Sequence, residues 1–543
     1  MSAYNVMRRW LAASKGPVSS NMGIGTNALD SISTGAQNLA IGEDAGTALT
    51  TGAENILLGY KAGDALTTGA KNIAIGSDAL GGGTTAADNI AIGEDALLAT
   101  TTGAQNVGIG TDALLAMTVG VRNVAIGHAV GAVLTTGTDN ILIGATAGDA
   151  ITTGVENVCI GTDAGGAITT GDGNVFIGDD AGLAITTGAG NVAIGRDSLK
   201  TSTIAIRTVA IGTSAGAGVT TGTDNILIGS TAGDAITTGI KNVAIGTDAL
   251  GGETTGVKNV AIGFNALLVQ AGASNNIAIG DVAGDAITTA TECIFIGVDA
   301  GGANTTGAKN IAIGGTALNA CTTGTKNLAI GFDALGGCTT GVNNIGIGDA
   351  AGTAVTTGTG IIAIGQAAVA GATDTNTIII GKAATSAADG NVTFGDGTAT
   401  ITNVLDGSTA TWTAASDERL KYNIADFRVG LDFITKLRPI TYKWRMRKDC
   451  PPELAKFYDP NSYEPCMGKK DKGRLHYGFI AQEVKKLIDE TPGMPEGQSI
   501  WTLDDDGTQR VGPSDMVTCM VVAIQELAEG VKECQRQIAK LSG

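Results

Sequence analysis

A 17-residue unit built around Asn-Ile/Val-Ala-Ile-Gly recurs with almost no slippage, its first residue at Asn21, Asn38, Asn55, Asn72 and Asn89 and onward through Asn344 to Ile361. A fixed period of this length over 21 consecutive copies dictates a solenoid, because each unit is too small to bury its apolar residues except by stacking on the next. With strands about 4.8 Å apart, such a stack is a rod on the order of 100 Å long. The same regularity poses a problem, since near-identical coils can pair one coil out of step at little local cost.

Within the unit Asn38–Glu54, Leu39 and Ile41 alternate with Ala40 and mark a short strand. Gly42 and Gly52 are placed to permit positive φ where the chain turns, and Thr50-Thr51 reads as a second short strand. Two strands and two turns make a flattened, two-sided coil. Equivalent Asn residues then lie above one another and share amide hydrogen bonds up the rod, a register device rather than a chemical one.

Asp at the seventh position (Asp44, Asp78, Asp95, Asp112 and others) raises the question of a calcium ladder. Lys61, Ala129, Thr146 and Ser214 occupy that position elsewhere and no Gly-Gly-x-Gly-x-Asp pattern is present, so a turn role is expected and no metal. The paired threonines form a hydroxyl column that would suit ice or carbohydrate, but His128 and Leu114-Leu115 interrupt the uniformity of the coils.

The net charge of −18 falls on the repeats, and an acidic rod does not seek nucleic acid. Apolar runs are cut every few residues by Gly, Asp or Thr, so no membrane insertion is expected. Residues 1–20 lack the apolar stretch of a secretory signal and read as an attachment segment. Eight cysteines follow no disulfide or zinc spacing; Cys321 and Cys338 lie one period apart and should stack as small apolar residues, and Cys450, Cys466 and His476 match no zinc knuckle. No cofactor is implied.

After Ile361 the period shortens, and from Ser416 glycine becomes sparse while aromatic and basic residues appear. The domains expected are an attachment segment (1–20), the repeat shaft (21–377), a degenerate β-rich transition or tip (378–415) and an ordinary α+β domain (416–543). Its last element, at about 515–541, carries Val517, Met520, Ile524, Leu527, Val531, Cys534, Ile538 and Leu541 three and four apart, an a/d seam that favours three strands. The fold class is therefore mainly β: an elongated β-roll or β-solenoid shaft, trimeric, followed by a small α+β domain ending in a coiled-coil helix.

The stretches Ser416-Asp-Glu-Arg-Leu-Lys-Tyr-Asn-Ile424, Leu437-Arg-Pro-Ile-Thr-Tyr-Lys-Trp444 and His476-Tyr-Gly-Phe-Ile-Ala-Gln-Glu-Val484, with the closing seam, resemble the self-cleaving intramolecular chaperone domain at the C-terminus of phage tail fibres and tailspikes. The segment between Trp444 and His476 looks longer than that pattern and has no assigned role. Separately, the repeats resemble the heads of trimeric autotransporter adhesins.

The first resemblance implies cleavage between Ala415 and Ser416, with Ser416 Oγ as nucleophile, Lys421 as base and His476 helping to position the scissile bond; a core histidine is the alternative for His476. Gln482 and Glu483 are expected in packing or interchain contacts. It further implies a homotrimeric virion fibre, assembled in the host cytoplasm, docked on a tail or neck protein through its N-terminus and facing a host receptor such as a carbohydrate. The peptidase would act once on its own chain and not on external substrates. Two other readings stay open: a bacterial surface adhesin, and a fibre whose C-terminal domain remains as a trimerisation cap.

Overall fold

The computed structural model describes residues 11–13, 20–386, 388–404, 427–452, 454, 457–466, 475–494, 500–503 and 508–542. The chain divides into two units, Met1–Ala414 and Ala415–Gly543, each treated by itself.

The first unit is a β-solenoid. Strands β2 (Met22–Ile24) through β23 (Ile378–Ile380), three residues each, stack parallel. Ala40 pairs with Leu57, Leu57 with Ala74, and so on in strict 17-residue register. The register survives the shortened repeats: Ile362 pairs with Ile378 and Ile378 with Val392 of β24 (Asn391–Gly395). At the ends β1 (Leu11–Ala13) runs antiparallel to β2, so part of the expected attachment segment belongs to the sheet. β25 (Thr400–Val404) runs antiparallel to β24.

Each coil carries one strand, not the two expected. Around Thr50-Thr51 the chain bends instead, yet it is tied to the next coil: the N–H groups of Thr50 and Thr51 both donate to Thr67 O (2.9 and 3.2 Å), as does Thr50 Oγ1 (3.0 Å). The turns also differ. Gly42 has φ +144°, but positive φ falls on Asp44 (61°) and Glu54 (62°) rather than on Gly52. Gly52 is required for a different reason: a β-carbon there would stand 2.1 Å from Gly69 O in the neighbouring coil. The left-handed seventh position accounts for its Asp-rich composition, since Asp tolerates that conformation.

The middle residue of each strand points inward and the two flanking residues point outward. Ala40, Leu57 and Phe176 are wholly buried, whereas Ile41 and Ile226 are each 40 % exposed. The largest side chains of the repeat therefore form two apolar columns outside the coil. The interior is filled by size matching. Leu57 lies between Gly46 and Gly63, where added β-carbons would come within 2.6 and 2.9 Å of its methyls. Phe176 sits likewise against Gly165 and Gly182, and Phe295 against Gly284 and Gly301. Where the inward residues are Ala74 and Ala91, the turn between them supplies Leu80. A large residue at one of these positions thus goes with a small one at the other.

The Asn column is a ladder with three interruptions. Asn55 donates its backbone N–H (3.0 Å) and Nδ2 (2.9 Å) to Asn38 Oδ1, and Nδ2 also donates to Gly69 O (3.0 Å). Thr208, Cys293 and Ile361 interrupt the side chains but keep the backbone bond to the preceding Asn, at 3.0, 2.9 and 3.0 Å.

The second unit is small and mixed. Helix α1 (Leu431–Lys436) is followed by β26 (Ile440–Tyr442), β27 (His476–Gly478), α2 (Ala481–Glu490), β28 (Trp501–Leu503), β29 (Gln509–Val511) and α3 (Pro513–Leu541). β26 pairs antiparallel with β27 and β28 with β29. Val429, Phe433, Val484, Ile500, Met516 and Cys519 form its core. No helix among the described residues is long and apolar enough to cross a membrane.

Candidate functional site

The β26–β27 pair carries the part of the candidate site that is described. In this ladder Tyr442 lies opposite His476. The imidazole stacks on Tyr442 (centroids 5.5 Å, planes 26° apart) and is tilted 6.0 Å from Trp444, which meets Tyr442 edge-on at 5.1 Å. His476 is half-buried, with Tyr442 stacked on one face of its ring and Trp444 tilted against it. Tyr442 and Trp444 stand in the second quoted motif, but their roles around His476 were not foreseen. The signal available was the pairing of two aromatic-rich strands across the long insert.

Behind this pair, Arg438 donates Nε to Glu483 Oε2 at 2.9 Å and Nη2 to Glu483 Oε1, a two-point ion pair. The Arg438 guanidinium holds the Glu483 carboxyl below its ordinary range. Glu483 thus has a partner within its own chain. The pair ties the start of α2 to the segment leading into β26.

Ser416, Lys421 and the Ala415–Ser416 bond lie outside the described residues. Of the three candidate catalytic residues, His476 is the one among the described residues.

Helix α3 is held to its unit by one face only. Met516, Cys519 and Ala523 are buried, and Glu526 Oε2 accepts the N–H of Leu431 at 2.6 Å, satisfying a free donor at the first turn of α1. Gly430 permits this approach, since a β-carbon there would stand 2.8 Å from Ala523 N. The seam residues lie on the adjoining face: Val517, Met520, Ile524, Leu527, Val531, Ile538 and Leu541 are exposed apolar side chains, and Cys534 is exposed among them.

Comparison with known proteins finds one likeness. Residues 416–492 match the Peptidase_S74 family, described as chaperone of endosialidase. The match begins at Ser416 and ends before β28, so the second hairpin and α3 lie beyond it. No curated protein and no solved structure matches the chain. The matched C-terminal domain and the β-solenoid together fit a tail-fibre-like protein that carries a chaperone domain.

Proposed function

We propose that this chain is a homotrimeric attachment fibre of a virion, folded in register by its C-terminal domain, which then cleaves itself off at Ala415–Ser416. The observation that carries the reading is the outward pair of Ile and Val columns along the solenoid, typified by Ile41, Ile141 and Ile226, lying upstream of a chaperone-family match. A continuous exposed apolar face of this length is a liability in a lone chain and an interface in an assembly. The exposed seam of α3 repeats the pattern in the C-terminal unit. Three seams meeting would align three chain ends before the coils form, removing much of the entropy lost in starting the stack.

The chemistry assigned to the site needs no cofactor. Lys421, as a neutral amine, takes the proton from Ser416 Oγ, which attacks the carbonyl carbon of Ala415. The peptide C–N bond breaks, the nitrogen gains a proton and becomes the new amino terminus, and an ester links Ala415 to Ser416 Oγ. Water hydrolyses that ester, leaving the Ala415 carboxylate and regenerating the hydroxyl. His476, held by Tyr442 and Trp444, is assigned to polarising or orienting the scissile bond. Loss of the folding device would leave the shaft kinetically trapped. The N-terminal end is assigned to a tail or neck protein, and the shaft or tip to a host receptor.

The test is expression of the intact chain beside Ser416→Ala, Lys421→Ala and His476→Ala, with denaturing gel, intact mass and sedimentation. A fragment starting at Ser416 in the wild type alone, together with a trimeric shaft, supports the reading. An uncut wild-type trimer removes the peptidase and leaves a permanent cap. A cut or uncut monomer that remains soluble and folded removes the fibre assembly, and the bacterial adhesin then becomes the better account.

A further inference from the structure

The insert between β26 and β27 contributes no described residue to the apolar core of its unit. What holds it is a short ladder. Arg447 N–H donates to Glu464 O at 2.8 Å, Cys466 N–H to Arg445 O at 2.9 Å, and Met446 bridges Pro465. The Lys448 ammonium sits 4.5 Å from the centre of the Tyr463 ring. Lys448 N–H to Ser462 O and Asp459 N–H to Arg447 O, both 3.2 Å, extend the ladder among the described residues.

This ladder folds the chain back on itself and brings both cysteines to two adjacent residues: Cys466 is held by its N–H on Arg445 O, and Cys450, just after the 3-10 turn Arg447–Asp449, by its Sγ, which donates to Met446 O at 3.5 Å. Cys450 is 8 % exposed, while Cys466 is half-buried and reachable from solvent. The other cysteines lack this combination. Cys159, Cys293, Cys321, Cys338 and Cys519 are wholly buried, and Cys534 is exposed on α3. Cys321 and Cys338 do touch, but equivalent β-carbons of stacked coils stand about one strand spacing apart (~4.8 Å), beyond the ~3.8 Å that a disulfide favours.

We infer that Cys450 and Cys466 are a modification site: they form a reversible disulfide that staples the insert, made by exchange with a small-molecule disulfide such as oxidised glutathione. Cys466 gives its proton to solvent, and the thiolate attacks one sulfur of the glutathione disulfide. A mixed disulfide forms and one glutathione leaves as thiolate, taking up a proton. Cys450 then loses its proton and displaces the second glutathione, which is protonated in turn. Two electrons pass from the protein thiols to glutathione, and two protons follow them. Burial and the neighbouring Cys450 hold the Cys466 thiol above its ordinary value, so exchange is slow at neutral pH and quickens as pH rises. The loop remains open in a reducing compartment and closes in an oxidising one. Closure ties together positions 450 and 466 and restricts the unfolded insert.

The experiment uses the full chain with Cys534→Ser, which removes cross-linking through the exposed thiol. The native protein is equilibrated with oxidised glutathione, blocked with N-ethylmaleimide, unfolded and mapped by peptide mass spectrometry, and cleavage within 451–465 by a protease is timed. The expected result is one linked peptide pair containing Cys450 and Cys466, two hydrogens lighter than the reduced pair, reversed by dithiothreitol, with proteolysis of the insert slowed several-fold. In a Cys450→Ala chain, Cys466 should instead accumulate as a glutathione adduct with no slowing. Recovery of both cysteines as separate adducts in the first chain overturns the inference, as does oxidant protection that persists in Cys450→Ala.

Discussion

The ring of Phe295 occupies the space that a β-carbon on Gly301 would need, with ring atoms 2.7 Å from that position. Gly301 also has φ +65°, so two independent penalties oppose any side chain there. The same relationship links Phe176 to Gly182 and Leu57 to Gly63, and it lets each coil recognise its neighbour. A shift by one coil would bring Leu267 or Leu318 into the place of the glycines around Phe295. The near-identical repeats are thus distinguishable from inside.

Gly301→Ala should destabilise its coils by about 2–4 kcal/mol, combining overpacking with left-handed strain. Phe295→Ala in the same chain should remove the clash and leave the strain. Hydrogen exchange across residues 284–317 checks both; equal protection in wild type and Gly301→Ala would contradict the size matching.

Asn140→Leu removes the acceptor for Asn157, which donates its N–H (3.0 Å) and Nδ2 (3.2 Å), and the donor to Gly154 O (2.9 Å). Unsatisfied buried groups of this kind cost about 1–3 kcal/mol each. Asn140→Thr should be milder, because a fully buried threonine, Thr208, is already accommodated between two Asn residues of the column. Local proteolysis at adjoining coils should rank Leu above Thr above wild type.

Glu253 is fully buried, and its carboxylate is met only by N–H donors: Thr254 (2.8 Å), Thr255 (2.9 Å), Gly256 (2.5 Å) and Gly272 (2.9 Å) on Oε1, and Gln270 Nε2 (2.7 Å) on Oε2. Gln270 in turn accepts from Asn276 Nδ2 at 3.0 Å. Glu253→Ala should loosen residues 250–276, at about 1–3 kcal/mol for each buried N–H donor left without a partner. A Glu253→Ile, Gln270→Ile double variant, which restores the apolar residue usual at that position, should lie far closer to wild type in exchange rates.

Acidification should first stabilise the shaft. Burial, then the neighbouring Asp163, Asp248 and Asp299, raise the carboxyls of Asp149, Asp234 and Asp285 above 3.8. A raised acid holds its proton more tightly in the folded chain. Its stabilising effect is complete below 3.8 and is lost as pH rises through the raised folded value. Asp139 and Asp224 act oppositely: Arg122 and Arg207 lower them, and that support disappears as pH falls below 3.8. Thermal melting at constant ionic strength should therefore rise from neutral pH toward 3.8, and Asp149→Asn with Asp234→Asn should flatten the slope.

Periodicity made the stacking, the Asn ladder and the turn at Asp44 legible, because each follows from what repeats. The direction of the strand faces was not legible. Alternation separates Leu39 and Ile41 from Ala40 but does not say which side is inside, and the smaller residue turned out to be the buried one. Gly52 was read as a φ > 0 position although its constraint is the carbonyl of the next coil, a contact between units that no single unit displays. The Thr50-Thr51 strand failed because both amides converge on one carbonyl instead of alternating. At the C-terminal site, the β26–β27 pairing that cages His476 spans the long insert, and no local pattern predicts a partner so distant. Ser416 and Lys421 lie outside the described residues, and their roles rest on the proposal above.

A parallel stack has two raw edges, each a row of unused donors and acceptors ready to recruit another chain. Here β1 crosses the first coil antiparallel and β25 folds back over β24, so each end is closed by a strand running the wrong way to continue the series. A further coil of the same sense would meet an antiparallel strand at either end. Its length is fixed in the gene, and an in-frame duplication of one unit would lengthen it by a single rise while leaving both lids untouched, a ruler adjustable in steps of one coil.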